Sequence, residues 1–297
     1  MSPSEVDAVI QDVRLELWRD NFAGALEILE TANRRHPDPL LAAEAGEIRS
    51  WLNHLRTREA YVTAYERYYR TVRQPTGFKR LDRELRTFLG RRTRKMVERT
   101  ARHPEFLLLE REVLALRPAR ALDAGCGEGR IALTIGARHP QTRVDGIEIS
   151  TTNVDIARKL NRFPNVTFHH GLLEEVERWC PPGSVDLAYA FAVLEHVRDV
   201  DGVVNGILQS LRPGGRFCFV VPMNEFIITG PIPPFHPHDG VAGHVRAFTE
   251  AGLRGRFGGY KDFVLEKVPA ERWRVGTYPP CFAPREFGSF FVAFSKS

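Results

Sequence analysis

Apolar residues recur at three- and four-residue spacing from Ser4 to about Leu116, as in Val6, Val9, Ile10, Val13 and Leu17, with few breakers between them. That period predicts an all-helical segment over residues 1–116. Beyond Arg117 and Pro118 the pattern changes to short apolar runs of strand length: ARALDAG, TRVDGIEIS, NVTFHHG, VDLAYAF and GRFCFVVP. Helical stretches such as GRIALTIGARH and VDGVVNGILQSL separate them, and KDFVLEKV and SFFVAFSKS follow as two further strands. Strands alternating with helices predict an α/β fold over 117–297, a doubly wound, mostly parallel seven-stranded sheet covered on both faces. Between the fifth strand and the next helix, residues 223–247 are long and proline-rich for a connection, which suits a loop inserted over the strand ends.

Composition narrows the partners. A chain of 297 residues that is 43% hydrophobic can bury a full α/β core and a helical module beside it. The net charge of +5 favours anionic partners but is weaker than a dedicated nucleic-acid binder carries. That charge is concentrated. From Arg67 to Arg102 thirteen Arg or Lys face only Asp82, Glu84 and Glu98. The run reads either as a solvated helix face or as a basic wall for a phosphate or carboxylate, groups that the guanidinium fork matches. Cys126, Cys180, Cys218 and Cys281 have no metal-ligand spacing, so the expectation is free thiols in a reducing compartment and no metal. With no apolar leader and no stretch of about 18 apolar residues, a cytoplasmic protein without a membrane span is expected.

The densest chemical signal is ALDAGCGEGR, Ala121 to Arg130, which lies between a strand and a helix. In a parallel sheet this is where ligands bind, beyond the strand ends. Gly125, Gly127 and Gly129 let the turn tighten and a ligand touch main chain, while the helix start offers unpaired N–H donors. Arg130 stands where a dinucleotide GxGxxG turn would carry its third glycine, which argues against NAD or FAD. Asp123 points the same way: a carboxylate repels a pyrophosphate but suits an ammonium or sulfonium. Nineteen residues past Gly129, Glu148 closes the second strand, where an acid accepts the hydroxyls of a ribose. A ribose with a cationic amino-acid portion describes S-adenosylmethionine.

Four motifs in order carry a resemblance: ALDAGCGEG, Glu148 in GIEIS, VDLAYAFAVLEHV (Val185 to Val197) and LRPGGRFCFVVP (Leu211 to Pro222). Residues 119–222 resemble the class I S-adenosylmethionine-dependent methyltransferases. The resemblance implies a Rossmann-like sheet, S-adenosylmethionine as cofactor and S-adenosylhomocysteine as product. It places the Gly125, Cys126, Gly127 and Gly129 turn and Asp123 at the methionine portion, and Glu148 with Ile149 at the ribose. Phe191, ending the fourth strand, is a core residue or a ring near the sulfonium. One position departs from the family: where many members carry an aspartate for the adenine amino group, this chain has Leu172, leaving Glu174 or packing and main chain to hold the base. Separately, Asp20 to Pro39 resembles the second helix of one tetratricopeptide unit, which fits a helical hairpin better than a solenoid.

For the transfer itself, histidines near the strand ends are the candidate bases. His236 and His238, beside Asp239, form a base with its orienting acid or, less readily, part of a metal site. His244 lies in GHVRAFT, which resembles a turn of the family, and His196 in LEHV borders the expected pocket or serves the scaffold. The fourth-strand segment lacks the N/D-PP-Y motif of amino-methylating DNA or glutamine enzymes, and Pro280-Cys281 is out of place for cytosine chemistry. The expected acceptor is a small molecule or glycan, methylated on oxygen rather than nitrogen and anionic if the arginine run faces it. RNA methylation through residues 67–102, and a non-catalytic module that binds the cofactor and docks a protein, are the competing readings.

Overall fold

The computed structural model describes residues 2–18, 21–54, 90–197, 199–228, 246–269 and 282–297. Contacts divide the chain into two compact units: Met1–Ala64 with Pro222–Thr249 and Pro269–Ser289, and Tyr65–Val221 with Glu250–Val268 and Phe290–Ser297. In the first unit, helices α1 (Pro3–Trp18), α2 (Phe22–Arg35) and α3 (Pro39–His54) follow one another. The residues that set the sequence period, Val6, Ile10, Val13 and Leu17, bury against Phe22, Ala25 and Leu29 of α2 and Leu41, Ala45 and Ile48 of α3. Two helices were expected to pair there; three share one core. Asn21 caps α2 by accepting the Gly24 N–H at 3.2 Å.

The second unit carries the sheet. Helices α4 (Arg91–Thr100) and α5 (Pro104–Leu116) precede β1 (Arg120–Ala124), α6 (Arg130–Arg138), β2 (Arg143–Glu148), α7 (Thr151–Leu160) and β3 (Val166–His170). A 3₁₀ helix (Leu173–Arg178), β4 (Val185–Phe191), α8 (Val200–Ser210), β5 (Leu211–Ile228), α9 (Glu250–Phe257), β6 (Lys261–Pro269) and β7 (Phe282–Ser295) complete the order. The seven strands lie in the order β3-β2-β1-β4-β5-β7-β6, and the pairs β3-β2, β2-β1, β1-β4 and β4-β5 are parallel. The order reverses between β1 and β4, so the ends of β1 and β2 open beside a switch point, where ligands of such sheets bind.

Packing does not break at Arg117. Phe106, Leu109 and Val113 of α5 are buried with the sheet residues Ala121, Val144 and Leu187, and Met96 of α4 packs on the same cluster. The apolar stripes of α4 and α5 thus bury against the sheet; their helical period alone does not reveal that partner. β5 also continues to Ile228, into residues expected to form the inserted loop. Among the described residues, no helix is long and apolar enough to cross a membrane, and no cluster of three metal-ligating side chains occurs.

Candidate cofactor site

Five residues join β1 to α6, and three of them are glycines with positive φ: Gly125 at 76°, Gly127 at 54° and Gly129 at 79°. Any other residue would be strained at these angles. The space around them differs. A Cβ on Gly125 would lie 2.5 Å from Val193 Cγ2, and one on Gly129 would lie 2.5 Å from Phe168 Cζ, whereas one on Gly127 would meet nothing within 4 Å. Two of the glycines therefore make room for the protein's own side chains. Gly127 is the one whose main chain a ligand can approach.

Glu148, 5% exposed at the end of β2, reaches across to this turn. Its Oε2 accepts the Gly127 N–H at 2.9 Å and its Oε1 accepts the Ser150 N–H at 2.9 Å. Ser150 in turn caps α7, its Oγ accepting the Asn153 N–H at 3.2 Å. A carboxylate accepts on both oxygens, with about four lone-pair sites in all, which is the chemistry that takes hydroxyl donors.

Asp123 closes the other side. It is 2% exposed, and its Oδ2 accepts the Ala132 N–H at 3.0 Å, one of the unpaired donors of the first turn of α6. Burial pushes its carboxyl up to about 8; the Ala132 bond opposes the rise and the Glu148 charge adds to it. Near neutral pH the side chain is therefore mostly protonated, and a neighbouring cation would favour its ionised form. Directly opposite on β4, Tyr189 is fully buried and its hydroxyl makes no hydrogen bond of ordinary geometry. Asp123, Gly127 and Glu148 thus set a buried acid of raised pKa, an open stretch of main chain and a second, fixed carboxylate around one turn. This donor set fits a ligand with a cationic amino-acid end and a ribose.

The remaining residues take lesser parts. Cys126 is buried; burial raises its thiol well above the ordinary value, with Asp123 and Glu148 adding, so it is a packing residue. Ile149 is half-buried, and its carbonyl lies 3.0 Å from His170 Nε2, which must carry the proton of that bond. Leu172 is half-buried, with no oxygen to offer an adenine, while Glu174 is exposed and lines a cleft with Asn205 and Gln209 of α8. Phe191 is half-buried and meets Tyr189 edge-on at 6.2 Å. His196 is half-buried in the turn after β4, its N–H donated to the Val193 carbonyl. His236, His238, Asp239 and His244 lie outside the described residues.

Three contributors carried no sequence signal of their own. Ala192 adopts φ 54°, a left-handed alanine that costs roughly 1–2 kcal/mol, and it turns the chain so that Val193 reaches Gly125. Phe168 of β3 fills the space behind Gly129. Arg92 of α4 pairs with Glu128 inside the glycine turn, Nη2 to Oε2 at 3.1 Å, with the side chains 24% and 16% exposed.

The comparisons bear on this sheet unit. The family model described as "Methyltransferase domain" matches residues 122–219. A Methylobacterium radiotolerans protein named trans-aconitate 2-methyltransferase is 34% identical over 46% of this chain and 47% of its own length. A Mycolicibacterium smegmatis protein named "Probable S-adenosylmethionine-dependent methyltransferase" is 36% identical over 40% of this chain and 45% of its own. The chain thus spans about half the length of the curated relatives it matches. The crystal structure of YcgJ from Bacillus subtilis aligns over 65% of this chain and 97% of that one, with a TM-score of 0.49 and 17% identity. The matched segment covers the glycine turn, Glu148 and the fourth-strand motif, and these residues carry a methyltransferase domain of the S-adenosylmethionine-dependent kind.

Proposed function

We propose that the protein transfers a methyl group from S-adenosylmethionine to an oxygen of a small anionic acceptor, a carboxylate. The observation that carries the cofactor half is the convergence of Asp123, the open Gly127 main chain and Glu148 at one turn. When bound, S-adenosylmethionine supplies a methyl group already activated on a sulfonium. The chain's own residues then hold and align. Glu148 accepts the ribose hydroxyls, the turn at Gly127 lies along the methionine portion, and Asp123, ionised by the nearby cation, balances its charge. Tyr189 beneath Asp123 keeps that side dry.

The acceptor half rests on two supports. Several relatives, from Methylobacterium radiotolerans and Azoarcus among others, carry the name trans-aconitate 2-methyltransferase, and trans-aconitate is a polycarboxylate. Exposed Arg91, Arg94 and Lys95 on α4 present positive charge of the matching kind. A carboxylate oxygen arrives without a proton to remove, so it needs alignment rather than a base. His236, His238 and His244, with Asp239, are kept as candidate bases only for a hydroxyl acceptor.

The test has two stages. Titration with S-adenosylhomocysteine, wild type against Glu148→Gln, should give saturable binding weakened by about 1.5–3 kcal/mol, roughly tenfold to a hundredfold. Release of S-adenosylhomocysteine from S-adenosylmethionine is then followed with a panel of di- and tricarboxylates and their neutral amides. Turnover of the acids alone is expected; binding without turnover of any acid would sink the acceptor assignment. Reversing Arg91 and Arg94 should raise the acceptor KM, while Arg92 is left intact because it holds Glu128.

A further inference from the structure

The arginine run and the glycine turn are far apart in sequence, yet one side chain joins them. Arg92 is the second residue of α4, and α4 is itself anchored: Thr93 Oγ1, buried, donates to the carbonyl of Leu160 at the end of α7 at 2.7 Å. From this fixed base Arg92 reaches Glu128. Burial separates the pair from its neighbours. Arg94 and Glu98, on the same helix, are 79% and 59% exposed at 3.8 Å, the kind of ion pair that contributes almost nothing. Arg92 and Glu128 are closer and mostly enclosed.

The place of Glu128 gives the pair its importance. It sits between Gly127, whose N–H is held by Glu148, and Gly129, which caps α6 at φ 79°. Two glycines flank it, the Gly129 N–H is donated to the Cys126 carbonyl at 2.9 Å, and the Glu128 side chain adds a tether from outside the turn. We propose that Arg92 is a positioning residue for the cofactor: by holding Glu128 it fixes the orientation of the Gly127 to Gly129 main chain, against which the methionine portion lies. The arginine-rich segment thereby sets cofactor affinity from outside the strand-turn-helix motif. This inference rests on the cofactor reading proposed above.

The experiment uses the full chain and two probes, S-adenosylhomocysteine and 5′-methylthioadenosine, the second lacking the amino-acid portion. Arg92→Ala should weaken S-adenosylhomocysteine about fivefold, the scale of a partly buried ion pair, and leave 5′-methylthioadenosine unchanged. Arg92→Lys should retain most of the affinity, and the swapped pair Arg92→Glu with Glu128→Arg should recover it where either single reversal does not. Hydrogen exchange of the free protein gives a readout that needs no ligand: amides of residues 127–129 should exchange faster in Arg92→Ala, with the rest of the sheet unit unaltered. Unchanged exchange at those amides, or equal loss for both probes, overturns the proposal. Should the wild type bind neither probe, the cofactor reading fails, and the exchange comparison still decides whether Arg92 positions the turn.

Discussion

Asp123 and Asp145 lie on neighbouring strands of one sheet, both enclosed, and their surroundings answer burial in opposite ways. Asp145 is surrounded by partners: Arg120 Nε at 2.8 Å, His169 Nε2 at 3.0 Å and Arg143 at 3.4 Å. Burial works against its charge, but the His169 and Arg120 hydrogen bonds and the two guanidinium charges outweigh it and hold the carboxyl below its ordinary value. Around Asp123 burial is the largest influence and the Glu148 charge adds to it; the Ala132 N–H, the Arg130 charge and the Tyr189 hydroxyl oppose it without prevailing, and the carboxyl stands at about 8. The first aspartate is complete without a ligand. The second has only the weaker help of the Arg130 charge and the Tyr189 hydroxyl against its burial, and the proposed cofactor role of Asp123 rests on that difference.

The largest effect should follow from breaking the complete site. Asp145→Ala strands the part-buried Arg120 and should cost about 3–5 kcal/mol, read as a fall in the denaturation midpoint of the sheet unit. Asp123→Asn should cost little stability, and at pH 8 and above should add some, because the native charge is the unfavourable form there. Its loss should appear in cofactor binding instead, by about 1.5–3 kcal/mol. Equal destabilisation by both substitutions would remove the distinction.

Proton linkage sharpens it. Asp123 has its folded value raised, so its contribution to stability is fully present below about pH 4 and is lost as pH rises toward about 8. Asp145 has its value lowered, so its contribution is present above the ordinary carboxyl range and is lost as pH falls through the depressed value. Opposite slopes follow from the two acids in one fold. A cationic ligand that needs ionised Asp123 should bind more tightly as pH rises, by at most about tenfold per unit, levelling off above pH 8 and releasing up to about one proton on binding. Calorimetry in buffers of different ionisation enthalpy reads that proton directly. 5′-Methylthioadenosine, without the cation, should show neither slope nor release.

Much of the open end of the sheet was legible in the chain. Strand period, the glycine cluster and the spacing to Glu148 are local properties, and Asp123 and Glu148 converge as that grammar requires. What was illegible depends on contacts between distant residues. Nothing in ARALDAG announces that Val193 will press on Gly125 or Phe168 on Gly129, and nothing in the arginine run singles out Arg92 from Arg91 and Arg94. The enclosure of Asp145 was equally silent, because Arg120 and His169 meet it only once three strands are in register. The packing of α4 and α5 on the sheet was silent for the same reason: they have a helical period whichever partner buries them.

Among the three glycines of the turn, the smallest effect on stability is expected at Gly127. Gly125→Ala and Gly129→Ala drive a Cβ to within 2.5 Å of Val193 and Phe168, so each must displace packed side chains in addition to the backbone cost. Gly127→Ala meets no atom within 4 Å and pays only for φ 54°, about 1–2 kcal/mol. If the open space beside Gly127 is where the methionine portion lies, that methyl group should nonetheless weaken S-adenosylhomocysteine more than its effect on stability would suggest. Binding and thermal unfolding of the three alanine variants decide the matter. A Gly127→Ala protein that folds and binds as the wild type would move the ligand away from this turn, and leave Asp123 as a buried acid without a cation to explain it.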